Sequence, residues 1–66
     1  MPIATICLLE GRNSEQKKRL IKNVTRSITE TLDIPSERVR VILQEMALEN
    51  YGIAGLPVQE YRKQKG

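Results

Sequence analysis

Ile3-Ala4-Thr5-Ile6-Cys7-Leu8-Leu9, broken at once by Glu10-Gly11-Arg12-Asn13, is the stretch that decides the fold of this chain. It is rich in β-branched and aliphatic residues and alternates Ile3, Thr5, Cys7, Leu9 against Ala4, Ile6, Leu8. Both sets are apolar, the pattern of a strand covered on both sides, as in a parallel sheet, and not of one with a wet face. Past the break, Asn13 and Gln16 have the form of a capping box, an N-cap oxygen answered by an amide three positions on. The spacing then predicts a helix from about Ser14 to Leu32, because Leu20, Val24, Ile28 and Leu32 recur every fourth residue and Ile21 fills out the same stripe. Asp33-Ile34-Pro35-Ser36 ends it, since the residue before a proline is pushed out of the α region.

Val39 to Met46 reads as a second strand, with Val39, Val41 and Leu43 on one face and Arg40, Ile42 and Gln44 on the other. Two strands joined by one long helix make a β-α-β unit with parallel strands. One helix covers one face, so the other apolar face needs a cover from outside the chain, most simply copies of itself. Ala47 to Asn50 suggests a short helical turn. Tyr51 to Pro57 sets turn residues around a few apolar ones and suggests a small hairpin or arm. The charged tail from Gln59 to Gly66 is expected to have a mobile end.

A chain of 66 residues is read as one domain, residues 1–66, and a domain near this size buries only about 60% of its unfolded surface. A single cysteine cannot form an internal disulfide, and without histidine a structural zinc site is not credible. Oligomerisation is the remaining common route to stability. There is no basic segment with an apolar run of the secretory kind and no apolar stretch long enough to span a bilayer, so the expectation is a cytoplasmic protein without a membrane partner. Cys7, inside an apolar run, is expected to be a small buried hydrophobe. The net charge of +3 is spread over helix and tail, and Lys17, Lys18, Arg19, Lys22 and Arg26 read as a solvated face and not as a nucleic-acid surface.

Three residues carry candidate chemistry. Pro2 follows a methionine that is commonly trimmed ahead of a small residue; freed, its nitrogen becomes a secondary amine. An α-amino group titrates at about 7.7–8.0 in water, and burial or a nearby cation lowers that, which suits a general base. Standing inside a chain, the same proline is an unremarkable strand-leading residue. Arg12 lies just past the first strand, and Arg40 opens the second. An arginine fork suits a carboxylate, although an interface or surface ion pair explains either arginine as well. In a parallel β-α-β unit the two lie at opposite ends of the sheet, so only assembly brings both near one Pro2. Cysteine pairs, histidines, a glycine-rich phosphate loop and paired acids are missing.

The segments Pro2-Ile3-Ala4, Leu9-Glu10-Gly11-Arg12, Glu15-Gln16-Lys17, Val39-Arg40-Val41-Ile42, Glu45-Met46 and Tyr51-Gly52-Ile53 together resemble 4-oxalocrotonate tautomerase, in register from Pro2 to about Gly55. The resemblance implies a β-α-β subunit assembled as a hexamer, a trimer of dimers, with sites at subunit interfaces and no cofactor or metal. It implies a dienol dicarboxylate substrate, 2-hydroxymuconate, whose proton the amino-terminal proline moves from the 2-hydroxyl side to carbon 5. On this resemblance Pro2 is the base and Arg12 holds the distal carboxylate. Arg40 sits at the 2-oxygen and its adjacent carboxylate, and Tyr51 forms a wall where phenylalanine is usual. The Leu9 backbone amide faces the site. Departures are Cys7 in place of histidine, the added Tyr51 hydroxyl, and Leu56-Pro57 after Gly55. A 3-haloacrylate dehalogenase of the same superfamily would need an acid beside Tyr51, where Gly52 and Ile53 stand instead. A catalytically silent assembly subunit is the reading from another class.

Overall fold

The computed structural model describes residues 1–65, in the order β1 (Ile3–Leu9), α1 (Ser14–Leu32), a 3-10 turn (Ser36–Arg38), β2 (Arg40–Met46), a second 3-10 turn (Leu48–Asn50), β3 (Gly52–Ile53), β4 (Leu56–Pro57) and α2 (Val58–Lys65). β1 and β2 pair in parallel from Ile3 opposite Arg40 to Leu9 opposite Met46. The expected unit is present, and α1 has the bounds that its capping residues predict. Both halves of the box form: Asn13 Oδ1 accepts from the Gln16 N–H at 2.8 Å, and Gln16 Oε1 accepts from the Asn13 N–H at 3.2 Å. At the other end Asp33 adopts the left-handed conformation at φ 57°, and its N–H donates to the Thr29 carbonyl oxygen.

The second strand starts one residue later than the apolar alternation suggests. The Val39 N–H closes the preceding 3-10 turn by donating to the Ser36 carbonyl oxygen at 3.1 Å, so the ladder opens at Arg40, whose N–H donates to the Pro2 carbonyl oxygen at 3.0 Å. Val39 still does the work of an apolar residue, since it is buried.

The helix covers one face of this two-stranded sheet. Ala4, Ile6, Leu8, Val41 and Leu43 are half-buried beneath it, and Leu20, Val24 and Ile28 are half-buried opposite them. Lys17 Nζ reaches Glu45 Oε2 at 2.9 Å across the helix–strand junction. The apolar stripe of α1 outruns its cover, because Ile21 and Leu32 are exposed. On the opposite sheet face Ile3 is 62% and Ile42 49% exposed, with Thr5, Cys7 and Gln44 open beside them. Cys7 is thus exposed within the chain, contrary to the buried position expected of it: it lies on the uncovered face, where its thiol donates to Gln44 Oε1 at 3.6 Å. The second helix, Val58–Lys65, packs on the C-terminal hairpin and the Leu48–Asn50 turn, so α1 is left to cover one face of the sheet and that side stays open.

The hairpin β3–β4 is antiparallel, Gly52 opposite Pro57 and Ile53 opposite Leu56. Ala54 at φ 55° and Gly55 at φ 84° turn it, the pair of positive φ values that matches the twist of a tight hairpin. Its far side holds what composition alone did not suggest. The charged tail is helical from Val58 to Lys65, while its last residue, Gly66, lies outside the described residues. Val58 is 1% exposed and its N–H donates to the Tyr51 carbonyl oxygen at 2.8 Å. One apolar turn is too short to show a helical period against so many charges.

The chain is elongated. Its radius of gyration is 15.5 Å, against about 11 Å for a compact chain of this length. It exposes 5337 Å², against about 4,200 Å² for a self-contained monomer of this mass. Among the described residues no helix is long and apolar enough to cross a membrane, and no group of three or more histidine, cysteine or acidic side chains could hold a metal.

Candidate active site

The parallel ladder sorts the candidate residues into two groups at opposite ends of the sheet. At the leading end Pro2 is half-buried, and its carbonyl oxygen is tied to the Arg40 N–H. The Arg40 side chain is exposed and folds back on its own turn, Nη1 donating to the Glu37 carbonyl oxygen at 2.6 Å. It thereby satisfies the open end of the Ser36–Arg38 turn and leaves the rest of the guanidinium fork toward solvent.

At the trailing end Leu9 lines one hollow with Tyr51, far from it in sequence, and a second hollow with Arg12. The Glu10 N–H extends the ladder to the Met46 carbonyl oxygen at 2.9 Å, and Gly11 follows at φ 122°. That conformation is one few residues other than glycine adopt, and it turns the chain so that Arg12 stands beyond the strand end. The Glu10 carboxylate accepts from the Leu48 N–H at 3.4 Å and so bridges this corner to the second 3-10 turn. Two concavities result. One, of about 380 Å³, is lined by apolar and aromatic residues, among them Leu9, Met46, Tyr51 and Ile53, with Tyr61 and Arg62 from α2. The other, of about 240 Å³, lies between Leu9, Glu10, Gly11, Arg12, Leu48 and Arg62.

Within one chain, Pro2 and Arg40 are therefore separated from Leu9, Arg12 and Tyr51 by the length of β1, about 20 Å at the usual rise per residue. No six-carbon diacid touches both groups at once. Arg62 of α2, which the sequence reading of the tail did not single out, borders both hollows. Its position four after the buried Val58 is the signal that points to it, once the tail is known to be helical.

A small parallel β-α-β subunit with Pro2 and Arg40 at one end of its sheet and an arginine-lined hollow at the other is the arrangement that defines the class. The chain belongs to the tautomerase family: the model of that family, described as tautomerase enzyme, matches residues 2–61. The 2-hydroxymuconate tautomerase of Pseudomonas putida is 46% identical over 63 residues, covering 96% of this chain and all of that protein. Among solved structures, TomN, a 4-oxalocrotonate tautomerase homologue of the tomaymycin biosynthetic pathway, superposes with a TM-score of 0.92 at 35% identity over 98% of this chain and 100% of its own. A heterohexamer 4-oxalocrotonate tautomerase from Chloroflexus aurantiacus gives a TM-score of 0.85 at 32% identity, covering 91% and 97%. The chain is an isomerase of the tautomerase kind.

Proposed function

We propose that this protein converts 2-hydroxymuconate, or a dienol dicarboxylate like it, to the conjugated 2-oxo-3-enoate, with no cofactor, in an active site shared between copies of the chain. The single observation that carries the reading is the segregation just described, joined to an apolar sheet face left open by the chain. A proline end and an arginine end that cannot meet in one subunit meet when a second copy is packed against the first. Similarity to 2-hydroxymuconate tautomerases over nearly the whole chain supports the substrate, and the heterohexameric relative supports a six-subunit assembly, here of identical chains.

The chemistry follows from the residues. With Met1 removed, Pro2 is a secondary amine that takes the proton from the 2-hydroxyl group of the dienol and returns it to carbon 5, leaving a carbonyl at carbon 2 and a double bond between carbons 3 and 4. No atom is lost, so the step needs neither a second substrate nor a redox partner. Arg40, next to Pro2 in the ladder, meets the 2-oxygen and its neighbouring carboxylate, where negative charge builds as the hydroxyl proton leaves. Arg12, from another copy, holds the distal carboxylate and draws electron density toward the carbon to be protonated. Leu9 and Tyr51 wall the site, and the drier it is, the more each charge contributes. The same cations disfavour the ammonium form of Pro2 and keep it ready as a base at neutral pH. We read the enzyme as cytoplasmic, one domain per chain.

The test is ketonisation of 2-hydroxymuconate followed by ultraviolet absorbance, on protein whose intact mass shows Met1 to be gone. Pro2→Ala is expected to slow it by about 10²–10⁴-fold, the usual contribution of a positioned general base. An unchanged rate removes the proposal.

A further inference from the structure

The leading end of the sheet carries a second cation that the reaction as set out above does not use. Arg38 closes the 3-10 turn just ahead of β2, its N–H donating to the Pro35 carbonyl oxygen at 3.1 Å. Between it and Arg40 stands Val39, buried and in extended backbone. With Val39 held in the core, its two neighbours are both exposed and stand about 7 Å apart at the usual rise of an extended chain. The ladder pairs Ile3 with Arg40; carried back one step, it sets Pro2 opposite Val39, so the two arginines bracket the proline.

The two guanidinium groups are not equally free. Arg40 donates Nη1 to the Glu37 carbonyl oxygen at 2.6 Å and to that of Val39 at 3.4 Å. Among the described residues the Arg38 side chain makes no hydrogen bond or ion pair. Glu37, the acid of the same turn, accepts from the Ser36 hydroxyl at 3.5 Å and pairs with neither arginine. With Nη1 committed, Arg40 keeps one paired edge, Nε with Nη2. The dienol presents three oxygens at this end, two on the carboxylate at carbon 1 and one on carbon 2. One edge meets two of them side by side. The third needs a donor from elsewhere.

We infer that Arg38 is a specificity-determining residue that binds the outer oxygen of the carboxylate on carbon 1, so that the free edge of Arg40 spans the inner oxygen and the 2-oxygen. The inference rests on the function proposed above and adds the Ser36–Arg38 turn to the site. The carboxylate on carbon 1 bears its charge before as well as during proton transfer, so loss of Arg38 raises KM and leaves kcat nearly as it was. Arg40, at the oxygen whose charge grows, is the residue whose loss lowers kcat.

The experiment compares the full-length, Met1-free protein with Arg38→Gln and Arg38→Lys on two substrates, 2-hydroxymuconate and 2-hydroxypenta-2,4-dienoate. The second keeps the carboxylate on carbon 1 and lacks the distal one. Arg38→Gln is expected to raise KM about tenfold on both alike, the loss of one charge-assisted contact, with kcat within about twofold. Arg38→Lys is expected to recover part of the loss, since the charge stays and the planar fork goes. Circular dichroism with sedimentation verifies that fold and assembly persist. An unchanged KM on both substrates overturns the role given to Arg38 and leaves the proposed function intact. A rise on the diacid alone overturns it too, because the charge then acts at the distal carboxylate. A wild-type protein that turns over neither dienol overturns the proposed function itself, and this role with it.

Discussion

Replacing Ile42 with aspartate tests whether the open face of the sheet is where the active site is completed. In one chain Ile42 is 49% exposed, so the isolated subunit loses only part of the roughly 1.5–3 kcal/mol that full burial of such a side chain is worth, about 1 kcal/mol. In an assembly that buries this face, each copy must instead desolvate a carboxylate with no cation opposite, at a cost of about 4 kcal/mol. At 1.4 kcal/mol per decade that weakens subunit association about a thousandfold, turning a dissociation constant of about 1 nM into about 1 μM, enough to dissociate the complex in an assay at nanomolar enzyme. Sedimentation velocity and ketonisation rate, measured on the same dilution series, should fall together: small species, little activity. A monomeric Ile42→Asp protein with full activity per subunit would refute the shared site, and an assembled, active one would refute this face as the interface.

Three further outcomes follow from local geometry. Arg12→Ala should raise KM for 2-hydroxymuconate by about 10–100-fold, as loss of a hydrogen-bonded charge costs about 1.5–3 kcal/mol, with a far smaller effect on a monoacid dienol; steady-state kinetics on both substrates decides it. Val58→Ala removes two methyl groups from the least exposed side chain among the described residues and should lower stability by about 2 kcal/mol, read as a fall in the urea midpoint with loss of α2 helicity at lower denaturant. Asn13→Ala takes away the acceptor for the Gln16 N–H and should cost about 1 kcal/mol without changing KM.

What could be read in the chain before its structure was local and periodic. The box at Asn13 and Gln16 marked the start of α1 to the residue, and the double alternation in Ile3–Leu9 announced a strand needing cover on both sides. The ladder that such strands must form put Arg12 and Arg40 at opposite ends, as the parallel register bears out. What escaped was whatever depended on contacts distant in sequence. Val39 looks like a strand residue, but its N–H belongs to a turn set up by Pro35. Cys7 sits among apolar neighbours in sequence, yet in space it is exposed, because α1 covers the other face of the sheet and α2 packs on the hairpin. Nothing periodic distinguishes Val58–Lys65 from a solvated tail, so the helix that brings Arg62 to Arg12 emerges only when Val58 is seen pinned beneath the hairpin. The site roles of Pro2, Arg12, Arg40, Tyr51 and Leu9 rest on resemblance joined to chemistry, and to them the structure adds a division into two groups.

That division has a genetic corollary. If the front of one copy works with the back of another, a chain disabled at Pro2 and a chain disabled at Arg12 are defective in different places. Mixed in one oligomer, they would regenerate some intact pockets from a sound front and a sound back, and two dead alleles co-expressed in one cell would restore part of the activity that neither possesses.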